Sequence, residues 1–304
     1  MQETKTILAV GSIAIDKLET PNGNRDNIVG GSATYFSLAA GLLAPVKLVG
    51  VVGKDFPEIG WELFKSRQIN TDNIQIVEGK TFRWGGRYNH DYSSRKTLFT
   101  ELGVFESFSP EIQDNDCKSP LVFLGNIHPD LQIDVARKAV SPEYIVSDTM
   151  NLWIDMFPEK LNEVLAVSKI FLLNHEEAFQ FTGVKDIPKA ATILRAAGPE
   201  VVVIKIGADG AYLSFEDKNF FIPVFPVKKV IDPTGAGDSF AGGLMGFLAN
   251  TNNPDFVDAV LTGSAMASYS IEDFGPESLL DVTRESLDER IAVIKSRMLA
   301  TEGV

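Results

Sequence analysis

Residues 46–53 read VKLVGVVG, a run in which every position except Lys47 is apolar or glycine. A strand with one wet face alternates apolar and polar residues, so a run without alternation suits a strand covered on both faces. Similar runs recur along the chain: ILAVG (7–11), LVFLGNI (121–127), YIVSD (144–148), IFLLN (170–174) and VVVIKIG (201–207). Helix-like stretches lie near 33–44, 57–68, 130–140, 187–197, 236–250, 254–271 and 284–299. Asn253-Pro254 is expected to open the sixth of these, and Thr283 to cap the last. The rhythm predicts an α/β protein with a three-layer fold, in which a mainly parallel central sheet is flanked by helices.

Two stretches break that rhythm. Residues 14–29 (AIDKLETPNGNRDNIV) and 80–105 (KTFRWGGRYNHDYSSRKTLFTELGVF) read as extended segments joined by Gly, Asn and Ser turns. They are expected to form a small antiparallel sheet projecting from one domain spanning 1–304. Phe82, Trp84, Tyr88, Phe99 and Phe105 in such a sheet need covering, by a substrate or by a second copy in a homodimer.

The composition excludes several classes. Of 304 residues, 44% are hydrophobic and 23% charged, enough for a large core, and the net charge of -13 disfavours a nucleic-acid partner. No apolar run approaches a membrane-spanning length, and the start MQETKTILAVG lacks a cationic segment followed by an apolar one, so a cytoplasmic protein is expected. A single cysteine, Cys117, leaves no intrachain disulfide and fits a reducing compartment. His90, His128 and His175 have no metal-cage spacing.

The chemistry concentrates in IDPTGAGDSFAGGLMGFLA (231–249). Glycines at the start of an apolar helix turn backbone N–H groups and the positive end of the helix dipole outward, which makes an anion site. Asp238 beside that site would repel a phosphate unless it accepts a proton or holds a metal. A carboxylate that deprotonates an acceptor hydroxyl, while the N–H groups hold the transferring phosphoryl group, resolves the conflict. The blander alternative is a close-packed helix start with Asp238 as its cap; Gly242, Gly243 and Gly246 do have packing spacing.

The string Asp232-Pro233-Thr234-Gly235-Ala236-Gly237-Asp238-Ser239-Phe240 resembles the C-terminal signature of the ribokinase-like, or PfkB, carbohydrate kinases. The resemblance extends over nearly the whole chain. It implies an ATP-dependent kinase with Mg2+, Asp238 as catalytic base, Gly235, Ala236 and Gly237 as the anion hole, and Asp232 and Thr234 near a monovalent cation, K+ being the candidate. It further implies that the small antiparallel sheet of the 14–29 and 80–105 segments is a β lid over the acceptor.

Other positions carry both a structural and a functional reading. Asn174-His175-Glu176-Glu177 has the spacing of a capping box and also matches the family's Asn-x-x-Glu, which helps position magnesium, through water. Asp16, beyond the first strand, is the candidate acceptor clamp, with a solvated turn aspartate as the alternative. Gly30, Gly31 and Tyr35 resemble the acceptor segment, although several sugar-specific members carry Asn where Tyr35 stands. Lys205, Gly207 and Gly210, a strand and turn by local pattern, resemble the nucleotide-lining segment, as Gly275 does more loosely. Asp148 reads as polar lining, and Arg83, Arg87 and Arg95 are candidates for neutralising phosphate.

These readings favour transfer of the γ-phosphoryl group to a sugar or polyol hydroxyl. A nucleoside kinase of the same family and a non-catalytic sensor are the alternatives. A dinucleotide enzyme is disfavoured, because Gly11-Ser12-Ile13-Ala14-Ile15-Asp16 lacks the Gly-x-Gly-x-x-Gly spacing.

Overall fold

The computed structural model describes residues 4–92 and 94–302. In chain order the strands are β1 (Ile7–Val10), β2 (Ala14–Thr20), β3 (Gly23–Gly30), β4 (Val46–Gly53), β5 (Asn70–Val77), β6 (Phe82–Tyr88), β7 (Arg95–Glu101), β8 (Leu121–Leu124), β9 (Tyr144–Asp148), β10 (Ile170–Asn174), β11 (Val201–Lys205), β12 (Ala211–Phe215) and β13 (Lys218–Ile222). Nine of them form one sheet in the order β13-β12-β11-β10-β9-β8-β1-β4-β5. From β5 to β11 every pairing is parallel, and β12 and β13 add an antiparallel edge.

The unalternating runs are explained by burial. All four residues of β1 and of β8 are buried, because helices cover both faces of the central strands. Phe36, from helix Ser32–Ala40, stacks on Phe123 of β8 with ring centroids 3.9 Å apart. Behind that helix lies Ala236–Leu248, and the two approach closely because Gly242 has no side chain. A Cβ there would meet the Phe36 carbonyl, while one at Gly243 would meet Met266 and one at Gly246 would meet Leu43. The three glycines serve packing, as their spacing suggested.

Most expected helices form within a few residues of their predicted bounds. Asn253-Pro254 does not open the sixth. That helix starts at Phe256, and Asp255 caps it by accepting from the Val257 N–H at 2.8 Å. Thr283 caps the last helix as expected, accepting from Ser286 N at 3.1 Å. No helix among the described residues is long and apolar enough to cross a membrane.

The two irregular stretches build a four-stranded sheet in the order β3-β2-β6-β7, with antiparallel outer pairs and a parallel pair, β2 with β6, at its centre. Its aromatics find partners within the same chain. The Trp84 ring lies across Gly86 and the Phe99 ring across Gly85, where any Cβ would collide, and Phe82, Phe105 and Phe108 stack at successive centroid distances of 5.5 Å. This lid is docked on the main body. Asn22 Nδ2 donates to the Val230 carbonyl at 2.8 Å, the Tyr92 hydroxyl to the Ile231 carbonyl at 3.1 Å, and Arg25 lies 4.6 Å from the Phe274 ring centroid.

Candidate active site

Helix Ala236–Leu248 begins after Gly235, which adopts φ 75°, ψ 2°, and no side chain caps it. This left-handed geometry and a Cβ that would run into the Tyr35 ring both require glycine. Of the three expected anion-hole residues, Ala236 also donates its N–H to the Pro233 carbonyl at 3.3 Å. Tyr35 itself corrects an expectation. It is 1% exposed, with its ring beneath Gly235 and its hydroxyl buried without a hydrogen-bond partner, so it supports the anion loop from below rather than lining the acceptor space.

Asp238 stands in the first turn of that helix, one residue past Gly237. Burial, followed by the neighbouring Asp148 charge, raises its pKa to about 7, while Lys205 and Arg95 pull the other way. A carboxylate held there gains a proton readily at neutral pH.

Asp16, on β2, lies at the junction of lid and body. Burial and the charge of Asp232 raise it to about 8, partly offset by the Gly31 backbone N–H. Gly30 and Gly31 are glycines for close approach. A Cβ on Gly30 would strike the Asp16 carboxylate, and Gly31, at φ 91°, has the Ser12 carbonyl where its Cβ would be. The charge of Asp238 adds to the rise of Asp16, so the two carboxylates share one region of unfavourably buried charge.

The ends of three adjacent parallel strands supply the next group. Asp148 ends β9, Asn174 ends β10 and Lys205 ends β11. Asn174 and Glu177 form the expected capping box: Asn174 N donates to Glu177 Oε2 at 2.7 Å and Glu177 N to Asn174 Oδ1 at 2.9 Å. Burial and Asp148 raise Glu177 to about 7. Lys205 Nζ donates to Asp148 Oδ2 at 2.8 Å and faces Gly237, where a Cβ would stand 3.0 Å from it. Burial alone would discharge Lys205, but Asp148, Glu177 and Asp238 push its pKa up, so it stays an ammonium. Gly207 opens a 3-10 turn after β11, with open space where a side chain would project, and Gly210 at φ 117° returns the chain into β12.

Asp232 is fully buried, and burial raises its pKa. Its Oδ1 accepts from Thr234 N at 3.0 Å and its Oδ2 from Gly275 N at 3.5 Å, so it ties the anion loop to the loop after helix Phe256–Ser270. Gly275 therefore meets Asp232, and a Cβ on it would press on Ile28 of the lid. The Thr234 hydroxyl is 3.0 Å from that of Tyr88, a lid contact invisible in the local sequence.

The assembled site holds Asp16, Asp148, Glu177, Asp232 and Asp238 around two cations, Lys205 and Arg95. Such an acidic surplus beside a helix N-terminus that no side chain caps suits a substrate that arrives with its own metal and gives up a proton from a hydroxyl. No group of three acidic, histidine or cysteine side chains among the described residues forms a metal cage.

Comparison with known proteins agrees with this geometry. The model for the pfkB family of carbohydrate kinases matches residues 132–282. A cytidine kinase of Thermococcus kodakarensis is 29% identical over 245 residues, covering 79% of this chain and 87% of that protein. The crystal structure of the Methanocaldococcus jannaschii nucleoside kinase superposes with a TM-score of 0.79 at 22% identity, over 96% of this chain and all of that one. A structure from E. coli described as a putative ribokinase II, in complex with ATP and Mg2+, gives a TM-score of 0.81 at 17% identity, over 95% and 99% of the two chains.

Proposed function

The chain belongs to the ribokinase-like, or PfkB, carbohydrate kinase family and is a phosphotransferase with a hydroxyl acceptor, and from that premise we propose that it phosphorylates ribose or a riboside with Asp238 as general base. The observation that carries this reading is the position of Asp238: a half-buried carboxylate, raised to about 7, at the N-terminus of a helix whose first residues are alanine and glycine. A general base works best when its pKa lies near the working pH.

In the proposed step the acceptor hydroxyl gives its proton to Asp238, and its oxygen bonds to the γ-phosphorus of ATP. The bond from that phosphorus to the β–γ bridging oxygen breaks, and ADP leaves with the electron pair. The N–H groups of Gly235, Ala236 and Gly237 stabilise the phosphoryl group in transit. Asp16 orients the acceptor by accepting from a second hydroxyl. The docked lid excludes water that would otherwise hydrolyse ATP.

Magnesium fits the donor set. Glu177 uses Oε2 in its capping box, which leaves Oε1 outside it, and magnesium keeps several waters and takes phosphate oxygens as ligands. Asn174 and Glu177 would hold it through water, and when bound it neutralises phosphate charge. K+ beside Asp232 would offset a buried carboxylate whose hydrogen-bond partners, Thr234 and the Gly275 N–H, are both neutral. Lys205, Gly207 and Gly210 would line the triphosphate.

A ribose ring is preferred to a hexose or polyol because the cytidine kinase, the nucleoside kinase and the ribokinase described above all take their names from ribose or its derivatives. An ADP-release screen over ribose, nucleosides, hexoses and polyols tests this, with Asp238→Asn as the mechanistic control. Turnover on a ribose-containing acceptor is expected, and Asp238→Asn is expected to lower kcat by about two to four orders of magnitude with ATP affinity little changed. Nucleoside binding without ADP release would identify a sensor instead, and near-normal turnover in the variant would remove Asp238 from its role.

A further inference from the structure

The three arginines of the lid have different surroundings. Arg83 donates to Asn27 Oδ1 at 2.6 Å, and Arg87 pairs with Glu19 at 2.5 Å, so both serve the lid sheet itself. Arg95 is the first residue of β7 and lies opposite Tyr88 of β6 in the β6–β7 ladder. Its guanidinium lies 4.8 Å from the Trp84 ring centroid. The Tyr88 hydroxyl is in turn 3.0 Å from Thr234 Oγ1, in the residue before Gly235. Four side chains, Trp84, Arg95, Tyr88 and Thr234, thus connect a lid cation to the mouth of the anion loop. The reach of that cation is visible in three carboxylates on three different elements, Asp16, Glu177 and Asp238, each of which it lowers.

A guanidinium presents parallel N–H donors that match two oxygens of a phosphoryl group, and it keeps its charge at any working pH. Contact with the Trp84 ring and the cross-strand place beside Tyr88 restrict where the guanidinium can lie, which is the preorganisation that makes a donor effective on developing charge. Arg95 is also exposed, so its donors are accessible to a ligand. We propose that Arg95 is a further catalytic residue that contacts the phosphoryl group in transit, and that Tyr88 is its positioning residue, tying it to Thr234 when the lid is down. The inference rests on the phosphoryl-transfer reading above. It makes the lid a supplier of charge as well as a cover, so transfer before closure is slow.

The test compares wild type with Arg95→Gln, Arg95→Lys and Tyr88→Phe, using Arg83→Gln as a lid control. With a turned-over acceptor, Arg95→Gln is expected to lower kcat by about 10²- to 10³-fold and Arg95→Lys by less. Tyr88→Phe is expected to lower kcat by about tenfold or less, since it removes the hydrogen bond to Thr234 that ties the strand beside Arg95 to the helix start. Arg83→Gln should leave turnover unchanged. Arg95→Gln should also move the acid limb of kcat/KM to higher pH, because a charge that lowers Asp238 is gone; a purely structural role would not move it. A second measurement needs no acceptor: calorimetry of Mg-ADP with and without aluminium fluoride, which mimics the phosphoryl group in transit. Wild type is expected to bind ADP more tightly with the fluoride, and Arg95→Gln to lose most of that gain. If wild type shows the gain and Arg95→Gln loses it while no ribose-containing acceptor turns over, the acceptor reading fails and Arg95 keeps its role. No gain in wild type, an equal gain in both, or a kcat for Arg95→Gln within about threefold of wild type overturns the proposal.

Discussion

The Lys205 ammonium bonds Asp148 Oδ2 at 2.8 Å across the width of β10, which separates their strands. The pair is buried, with side-chain exposures of 17% and 6%, and its two members act on Asp238 with opposite sign. Asp148 raises the pKa of Asp238 and Lys205 lowers it, so in the proposed reaction the pair would tune the base while offering a cation to phosphate.

Neutralising each partner should therefore move the pH profile in opposite directions. With Asp238 as the proposed base, activity needs it ionised and is expected to be lost as pH falls through its folded pKa, about 7. Lys205→Gln is expected to shift the acid limb of kcat/KM upward by about one pH unit and Asp148→Asn to shift it downward by a similar amount. Lys205→Gln should also weaken ATP binding, whereas Asp148→Asn should not. Profiles that move together would show that the pair does not act on Asp238.

Gly235→Ala should be costly in both stability and turnover. The new methyl meets the Tyr35 ring, and the backbone sits at φ 75°, where an L side chain is strained. A loss of about 1–3 kcal/mol is expected in denaturant unfolding. Relieving the clash with a smaller residue at position 35 should recover part of the stability but not the strain of the left-handed backbone.

Asp16 links binding to stability. Its pKa rises from 3.8 to about 8 on folding, so between those values the folded protein holds a proton that the unfolded chain has released. Stability from this group is consequently lost as pH rises through that window, and the cost is complete above about 8. Asp16→Asn should raise Tm at about pH 8–9 and have little effect near pH 4, while kcat/KM for the acceptor drops about two- to tenfold at neutral pH through the altered hydrogen bond. Thermal scans across pH check the first outcome and steady-state kinetics the second. A variant less stable than wild type above the folded pKa would contradict the sign.

The lid latch offers a conformational test. Asn22 and Tyr92 hold the lid to the Val230 and Ile231 carbonyls. Tyr92→Phe removes a donor worth about 0.5–1.5 kcal/mol, which corresponds to a two- to tenfold rise in acceptor KM if docking accompanies binding. ATP hydrolysis without acceptor should rise at the same time, because a looser cover admits water. An unchanged KM and unchanged hydrolysis would mean that the latch does not report on closure.

Much of the architecture was legible locally. VKLVGVVG became β4, IFLLN became β10, and the 14–29 and 80–105 stretches became the lid, because period and turn chemistry act over a few residues. Elements with weaker patterns escaped. NTDNIQIV (70–77) forms β5 at the sheet edge, where polar Asn70 and Asp72 are tolerated, and helix Pro158–Val167 carries no strong start signal beyond its proline. Asn253-Pro254 suggested a cap that Asp255 supplies instead, since both residue types accept hydrogen bonds equally well and only the chain's path selects one.

The sequence by itself determined the alternating elements, the glycine-rich helix start, the Asn174–Glu177 capping box and the place of Asp238 in the first turn of its helix. Each is a matter of neighbours along the chain. Only the tertiary structure decided that Asp148 meets Lys205, that Tyr35 lies under Gly235 and that Tyr88 reaches Thr234. These partners are 57, 200 and 146 residues apart. Strand order and lid docking bring them together, and no local hydrogen-bonding or hydrophobic period encodes which strand ends become neighbours.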